Sequence, residues 1–184
     1  MAPGRAHDRS ILDALEKLYP EPYDSDVWRV TRKGRDPLQG SSANGRWGAA
    51  GEPEVLYASE ARDGALAEVG FRLSLEPVWP SRIQHEIHVL AVRMERLLRL
   101  VDMRELEKLG VDIARYETSD YSATQAIAAA AHFLEFDGLL VPSARFKCNN
   151  LALFTDRVWQ SGQAQVVSTE DVDWDAWRRK KQKR

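Results

Sequence analysis

Residues 55–75 read VLYASEARDGALAEVGFRLSL, and the character of the chain changes in the middle of this stretch. Val55–Ser59 is a short, largely apolar run that reads as a strand. From residue 61 to 75 the apolar side chains occur around most of a helical circumference, and from Gly64 onward the only charges are Glu68 and Arg72. That composition predicts a helix enclosed by protein. Because strands and helices are intermixed along the rest of the chain as well, the fold class is α+β.

Upstream, residues 27–31 read as a strand, and Ser10 caps a helix with Ile11, Leu12, Leu15 and Leu18 on one period, stopped by Pro20 and Pro22. Residues 34–53 carry Gly34, Gly40, Gly45, Gly48 and Gly51. This segment is too rich in glycine for a regular element and longer than an ordinary connection, as functional loops tend to be. Downstream, residues 84–93 alternate as a strand and residues 97–101 read as another. His85 and His88 then face opposite sides, which argues against a shared metal. Asp102 with Glu105, and Ser122 with Gln125, look like capping boxes. The first opens a helix ending at Gly110, the second an alanine-rich helix running to about Glu135, with Gly138 as its stop. Apolar runs at 139–141 and 151–154 read as strands on either side of Pro142-Ser143-Ala144-Arg145.

No internal repeat or long linker interrupts the 184 residues, and 43% hydrophobic content with six Trp suffices for a real core, so a single domain is expected. The longest apolar stretch falls far short of the roughly 18 residues of a membrane span, and Met1 to Ser10 is polar, with no hydrophobic signal core. A soluble cytoplasmic protein is the expectation. Cys148 is the one cysteine, so no internal disulfide is possible, and four His add little material for zinc. No metal is expected. The net charge of −2 conceals a basic end: Arg178, Arg179, Lys180, Lys181, Lys183 and Arg184. Without those six the 26 Lys+Arg fall to 20 against 28 Asp+Glu, a charge of −8, which suits a large nucleic-acid footprint poorly. The basic end reads as a solvated tail after a short helix around Trp174 and Trp177.

No nucleophile elbow, Walker loop, dinucleotide fingerprint or HExxH is present. What remains is a dispersed set: Arg29 in a strand, Arg46 in the glycine loop, Tyr57 in the next strand, Glu68 on the following helix, and Ser143 after a late strand. Each has a plain structural explanation. Glu68 suits an ion pair with Arg72 at i+4, Arg29 a snorkelling strand residue, Tyr57 a core aromatic, and Ser143 a turn hydroxyl. Against the first stands the enclosed character of the helix, where a carboxylate needs a partner or a task.

Taken together, the blocks Val27-Trp28-Arg29-Val30, Gly45-Arg46-Trp47-Gly48-Ala49-Ala50-Gly51, Val55-Leu56-Tyr57-Ala58-Ser59 and Ala65-Leu66-Ala67-Glu68-Val69 resemble the RES-domain family. The run from Asp137 to Arg145 and Asn150-Leu151-Ala152-Leu153-Phe154 continue the resemblance, which covers roughly residues 25–157. The family is named for its Arg, Glu and Ser. The resemblance implies an ADP-ribosyltransferase-like mixed sheet core with surrounding helices. It implies a catalytic body over 25–170, which leaves an N-terminal helix and lead-in over residues 1–24 and a short helix and basic tail over 171–184. It also implies a bacterial toxin of a toxin–antitoxin pair that consumes NAD by hydrolysis, phosphorolysis or transfer of ADP-ribose to a protein. NAD is then the substrate, with no metal required. Carried over by position, Arg29, Tyr57, Glu68 and Ser143 belong to the active pocket, with Arg46 a further contact.

The roles follow from the chemistry of the nicotinamide–ribose bond, whose cleavage passes through an oxocarbenium-like state. Glu68 is expected to stabilise that charge. Arg29 or Arg46, with loop amides, suits the pyrophosphate; Tyr57 suits packing on nicotinamide or ribose; Ser143 bonds the carboxamide or orients Glu68. Gly48 departs from the family, which usually has Asn after Gly-Arg-Trp, so a side-chain contact is lost and a looser loop is expected. The implied partner is a small helix-turn-helix antitoxin whose end blocks the mouth along residues 34–53, so that nucleic acid is met only through the antitoxin. Two other readings are a catalytically silent interaction protein and a ribonuclease-type toxin, the latter wanting a His/carboxylate pair that the sequence does not advertise.

Overall fold

The structure, a computed structural model, describes residues 7–161 and 163–182, so residues 1–6 of the polar start and the last two basic residues, Lys183 and Arg184, lie outside the described residues. One mixed sheet organises the chain: β1 (Glu21–Arg32), β2 (Val55–Ser59), β3 (His85–Arg99), β4 (Gly138–Pro142), β5 (Asn149–Phe154) and β6 (Gln163–Asp171), in the order β1-β2-β5-β4-β3-β6. β1 also pairs along β3, from Glu21↔Leu97 to Arg32↔His85, so the first five strands of that order close on themselves. All pairs are antiparallel except β3–β4. Val27, Leu56, Leu90, Leu140, Leu151 and Leu153 fill the interior of this closed arrangement and are buried.

β3 differs from the sequence reading, which split it in two. Its free edge pairs first with β6, ending at Arg93↔Gln163, and then with β4, starting at Leu97↔Gly138. In the gap the Asp137 carboxylate accepts from the backbone N–H of Glu95 (3.2 Å) and Arg96 (2.8 Å). A side chain thus replaces the missing strand, and the ladder is satisfied without a break.

Six helices surround the sheet among the described residues: α1 (Arg9–Leu15), α2 (Arg62–Ser74), α3 (Met103–Lys108), α4 (Ser122–Phe133), α5 (Thr155–Ser161) and α6 (Trp174–Gln182). Four terminal assignments are corrected. Asp8, not Ser10, caps α1, its carboxylate accepting from the Ser10 N–H at 2.8 Å. Asp102 caps α3 through Arg104 rather than Glu105, although Gly110, at φ +90°, does end that segment. Gln125 makes no capping box in α4, because its amide is spent on the glycine loop. The left-handed residue that ends α4 is Glu135, at φ +64°.

Gly138 instead opens β4, where a Cβ would lie 2.5 Å from the Ala152 carbonyl oxygen and 2.8 Å from Leu153 Cα. Both neighbours are backbone and cannot step aside. Gly138→Ala is therefore expected to destabilise the protein by about 2 kcal/mol, read as a lower urea midpoint at unchanged m-value.

A cluster of Trp28, Val30, Leu66, Ile87, Trp174 and Trp177 sandwiches α2 between the sheet and α6. This explains why α2 is apolar around most of its girth. His85 and Trp174 join the two sides, the indole N–H donating to His85 Nδ1 at 3.0 Å. His88 bridges Thr31 and Thr169, each at 2.8 Å, tying β1, β3 and β6 together. Burial holds both imidazoles below the ordinary histidine value. The unfolded chain then binds more protons than the folded one, so stability is complete above about pH 6.5 and falls as pH drops through the lowered folded values. Thermal midpoints recorded from pH 8 to pH 5 check this: a decline beginning near pH 6.5 is expected.

Candidate active site

Three glycine-dependent approaches assemble the site. At Gly64 a Cβ would meet Ser59 Oγ at 2.4 Å and Cys148 Sγ at 2.5 Å, so its absence lets the first turn of α2 lie flush on the ends of β2 and β5. Gly70, on the same helix, receives the Trp177 ring of α6. Seated this closely, α2 delivers Glu68 to the ends of β4 and β5. There Glu68 Oε1 accepts from Ser143 Oγ at 2.6 Å and from Asn150 Nδ2 at 2.7 Å. Ser143 is fixed in turn, its oxygen accepting from the N–H groups of Arg145 (3.1 Å) and Phe146 (3.2 Å). The plain alternative for Glu68, an ion pair with Arg72, is not formed among the described residues.

At Gly45 a Cβ would lie 2.7 Å from the Tyr57 hydroxyl, so the glycine loop packs directly onto that side chain. The hydroxyl accepts from the Trp47 N–H at 3.2 Å, and burial pushes it up to about 12. Gly45 and Gly48 bond each other across the turn, and Gln125 donates to the Gly45 carbonyl at 2.8 Å. The looseness expected from Gly48 is opposed by these bonds, and a Cβ there would lie 2.9 Å from Val55 Cγ2. An asparagine at 48 would need Val55 to give way.

Arg29 is 8% exposed, and its two Nη groups donate to the carbonyls of Tyr57 (2.7 Å) and Gln39 (2.8 Å). Chain geometry requires such a fork here: β1 and β2 share a single register pair, Trp28↔Ser59, and separate beyond it. The guanidinium spans the gap between the strand and residue 39. Burial first, and then the charges of Arg35 and Arg72, lower it to about 10, still cationic at neutral pH. Arg46 turns elsewhere. It donates to the Tyr116 and Thr118 carbonyls and lies over the rings of Tyr116 (4.7 Å) and Tyr121 (4.9 Å). Tyr116 leads back to the centre through a 2.8 Å bond from its hydroxyl to the Pro142 carbonyl.

A cavity of about 410 Å³ opens beside Ser143, walled by Tyr116, Phe146, Cys148 and Asn149. A second, of about 400 Å³, lies between α4 and the outer side of the glycine loop; Ser143 lines the first alone, and neither lining includes Arg29, Tyr57 or Glu68. Near this groove His132 and Asp156 do form a His/carboxylate pair, at 2.7 Å, which the sequence had not suggested. No group of three or more His, Cys, Asp or Glu side chains is placed to hold a metal ion among the described residues. No described helix is long and apolar enough to cross a membrane.

The order of these residues along the chain is matched by the RES domain model over residues 26–175. The chain belongs to the RES domain family. Among its RES relatives, a Mycobacterium tuberculosis protein named "Probable NAD(+) phosphorylase Rv3189" is 38% identical over 120 residues, a match taking in 65% of this chain and 56% of that protein. The chain thus spans little more than half the length of that relative. A Mycobacterium bovis protein named NAD(+) phosphorylase MbcT is 23% identical over 145 residues, covering 76% of this chain and 78% of its own. In solved structures the fold matches a chain of the M. tuberculosis MbcT–MbcA toxin–antitoxin complex, with TM-score 0.80 over 95% of this chain and 98% of that one, at 21% identity. The single-domain α+β architecture is the one that the RES resemblance implied.

Of the residues singled out in the sequence, the structure joins Glu68 to Ser143, and Arg29 to Tyr57. The Arg46 guanidinium makes no hydrogen bond to either pair among the described residues. Asn150, Tyr116 and Tyr121 were not singled out. Asn150 alone had a signal: it begins the last RES block, and a polar residue opening an otherwise apolar strand suits a strand end that faces a site.

Proposed function

We propose that this chain cleaves the nicotinamide–ribose bond of NAD, with Glu68 beside the reacting carbon. The observation that carries this reading is the state of the Glu68 carboxylate: both donors fall on Oε1, and Oε2 has no hydrogen-bond partner among the described residues. A carboxylate held at one oxygen and open at the other is suited to accept a ribose hydroxyl and to stabilise positive charge on the sugar. The names of the RES relatives as NAD(+) phosphorylases support the substrate.

As the C–N bond lengthens, positive charge spreads over ribose C1 and the ring oxygen, next to Glu68. The electron pair of that bond returns to the pyridinium nitrogen, so nicotinamide leaves neutral and takes up no proton. An acceptor oxygen then bonds C1. Phosphate gives ADP-ribose 1-phosphate; water, losing a proton to solvent, gives ADP-ribose; and the relatives' names favour phosphate. Ser143 and Asn150 act as positioning residues for Glu68. Arg29 and Tyr57 hold the glycine loop in place, so that its amides and the cationic flank of Arg29 and Arg46 suit the pyrophosphate.

An enzyme that drains NAD harms its own cell, so we assign it to the cytoplasm as the toxin of a pair. Its antitoxin partner has a helix-turn-helix part and covers residues 34–53. The likeness to a chain from a toxin–antitoxin complex supports this assignment.

Incubating the purified protein with NAD, with and without inorganic phosphate, tests the reading. Nicotinamide together with ADP-ribose 1-phosphate is expected when phosphate is present. A folded protein that releases no nicotinamide under either condition ends it.

A further inference from the structure

We propose that Arg72 holds the phosphate acceptor beside Glu68. The inference rests on the NAD-cleaving reading and deepens it, by assigning a residue to the second substrate.

Arg72 stands one helical turn beyond Glu68 on α2, where i,i+4 side chains are neighbours about 5–6 Å apart at Cβ and opposite charges ordinarily pair. Here they do not, because Ser143 and Asn150 draw Glu68 Oε1 to the strand ends. Arg72 is left exposed, its guanidinium making no hydrogen bond or ion pair among the described residues. The other arginines of this region are committed. Arg29 serves Tyr57 and Gln39, Arg35 serves the Gly40 carbonyl, and Arg46 serves Tyr116. Arg145 donates to the Glu117 carbonyl and lies 3.4 Å over the Phe71 ring. Arg72 is therefore the guanidinium of this set with its fork free. Its charge is felt at both Arg29 and Tyr57, so it belongs to the same electrostatic neighbourhood as the site.

The chemistry needs such a group. An anionic acceptor must approach a carbon that lies next to the Glu68 carboxylate, and two like charges repel. A bidentate guanidinium one turn from that carboxylate binds the phosphate and offsets the repulsion. In the step itself a phosphate oxygen forms the bond to ribose C1, the C–N bond breaks, and its electron pair goes to the pyridinium nitrogen.

Arg72 is exposed, so its replacement leaves the fold intact. With Arg72→Ala and Arg72→Lys, initial rates are measured against inorganic phosphate at saturating NAD, and against NAD at saturating phosphate. For Arg72→Ala the KM for phosphate is expected to rise at least about tenfold and the KM for NAD to change by less than about twofold, with ADP-ribose gaining on ADP-ribose 1-phosphate among the products. Arg72→Lys should recover part of the phosphate affinity. An unchanged KM for phosphate overturns the assignment, and so does an equal rise in both constants, which would make Arg72 a pyrophosphate ligand of NAD. A wild type that releases no nicotinamide overturns the NAD reading and this one with it. A wild type with phosphate-dependent turnover beside an unaffected variant overturns the Arg72 assignment alone.

Discussion

Glu68→Gln is expected to lower nicotinamide release by about a thousandfold while leaving the thermal midpoint almost unchanged. Glutamine keeps the volume of the side chain, and its amide oxygen can still accept from Ser143 Oγ and Asn150 Nδ2, the two bonds that position residue 68. The substitution removes the negative charge, the quantity that a cation-like sugar requires. Chromatographic assay of nicotinamide, with a melting curve on the same preparation, separates chemistry from folding. A folded variant that turns over NAD at the wild-type rate would remove Glu68 from the mechanism.

The second large effect is expected at Arg29. Lysine preserves the positive charge, but a single ammonium does not reproduce a planar fork that reaches Tyr57 and Gln39 carbonyls from separate nitrogens. One of the two carbonyls is left without its donor in a buried position, at a cost of about 1–3 kcal/mol. Residues around 39 then lose their tie to β2, and the loop that meets Tyr57 loosens. Arg29→Lys should lower kcat/KM for NAD by about a hundredfold and also lower stability, as measured by initial rates and urea denaturation of the same sample. Full activity with reduced stability would make Arg29 a strand residue with a purely structural task.

The strand–helix unit at 55–75 was legible because its two halves differ in period, and because α2, with Glu68 and Arg72 as its only charges from Gly64 onward, requires cover on several sides. Trp174 and Trp177 of α6 supply that cover. What local pattern did not reveal is long-range. β3 runs unbroken through residues 94–96 because Asp137 substitutes for a strand, and no pattern within β3 announces a carboxylate some forty residues away. Gln125 mimicked a capping residue in sequence because a capping box is defined by spacing alone, whereas the loop it serves lies about eighty residues earlier. Gly138 was read as a helix stop because glycine commonly plays that part, yet the backbone of β5 leaves no room for a Cβ there. Glu68 and Ser143 were named as candidate site residues on the RES blocks, and their 2.6 Å contact favours the orienting role for Ser143 over one toward the substrate amide. Arg46 was carried over as a further contact of the pocket, and its long-range partners, two carbonyls and two tyrosine rings, had no signal in the local sequence.

The central claim is that NAD places its nicotinamide ribose against Glu68, at the ends of β4 and β5. Determining the crystal structure of the Glu68→Gln variant with NAD bound tests it most directly, since intact substrate should persist there. The expected result is ribose density beside residue 68, within hydrogen-bond reach of the groups that Ser143 and Asn150 hold in place. NAD seated instead in the groove between α4 and the outer side of the glycine loop, away from residue 68, would contradict the account.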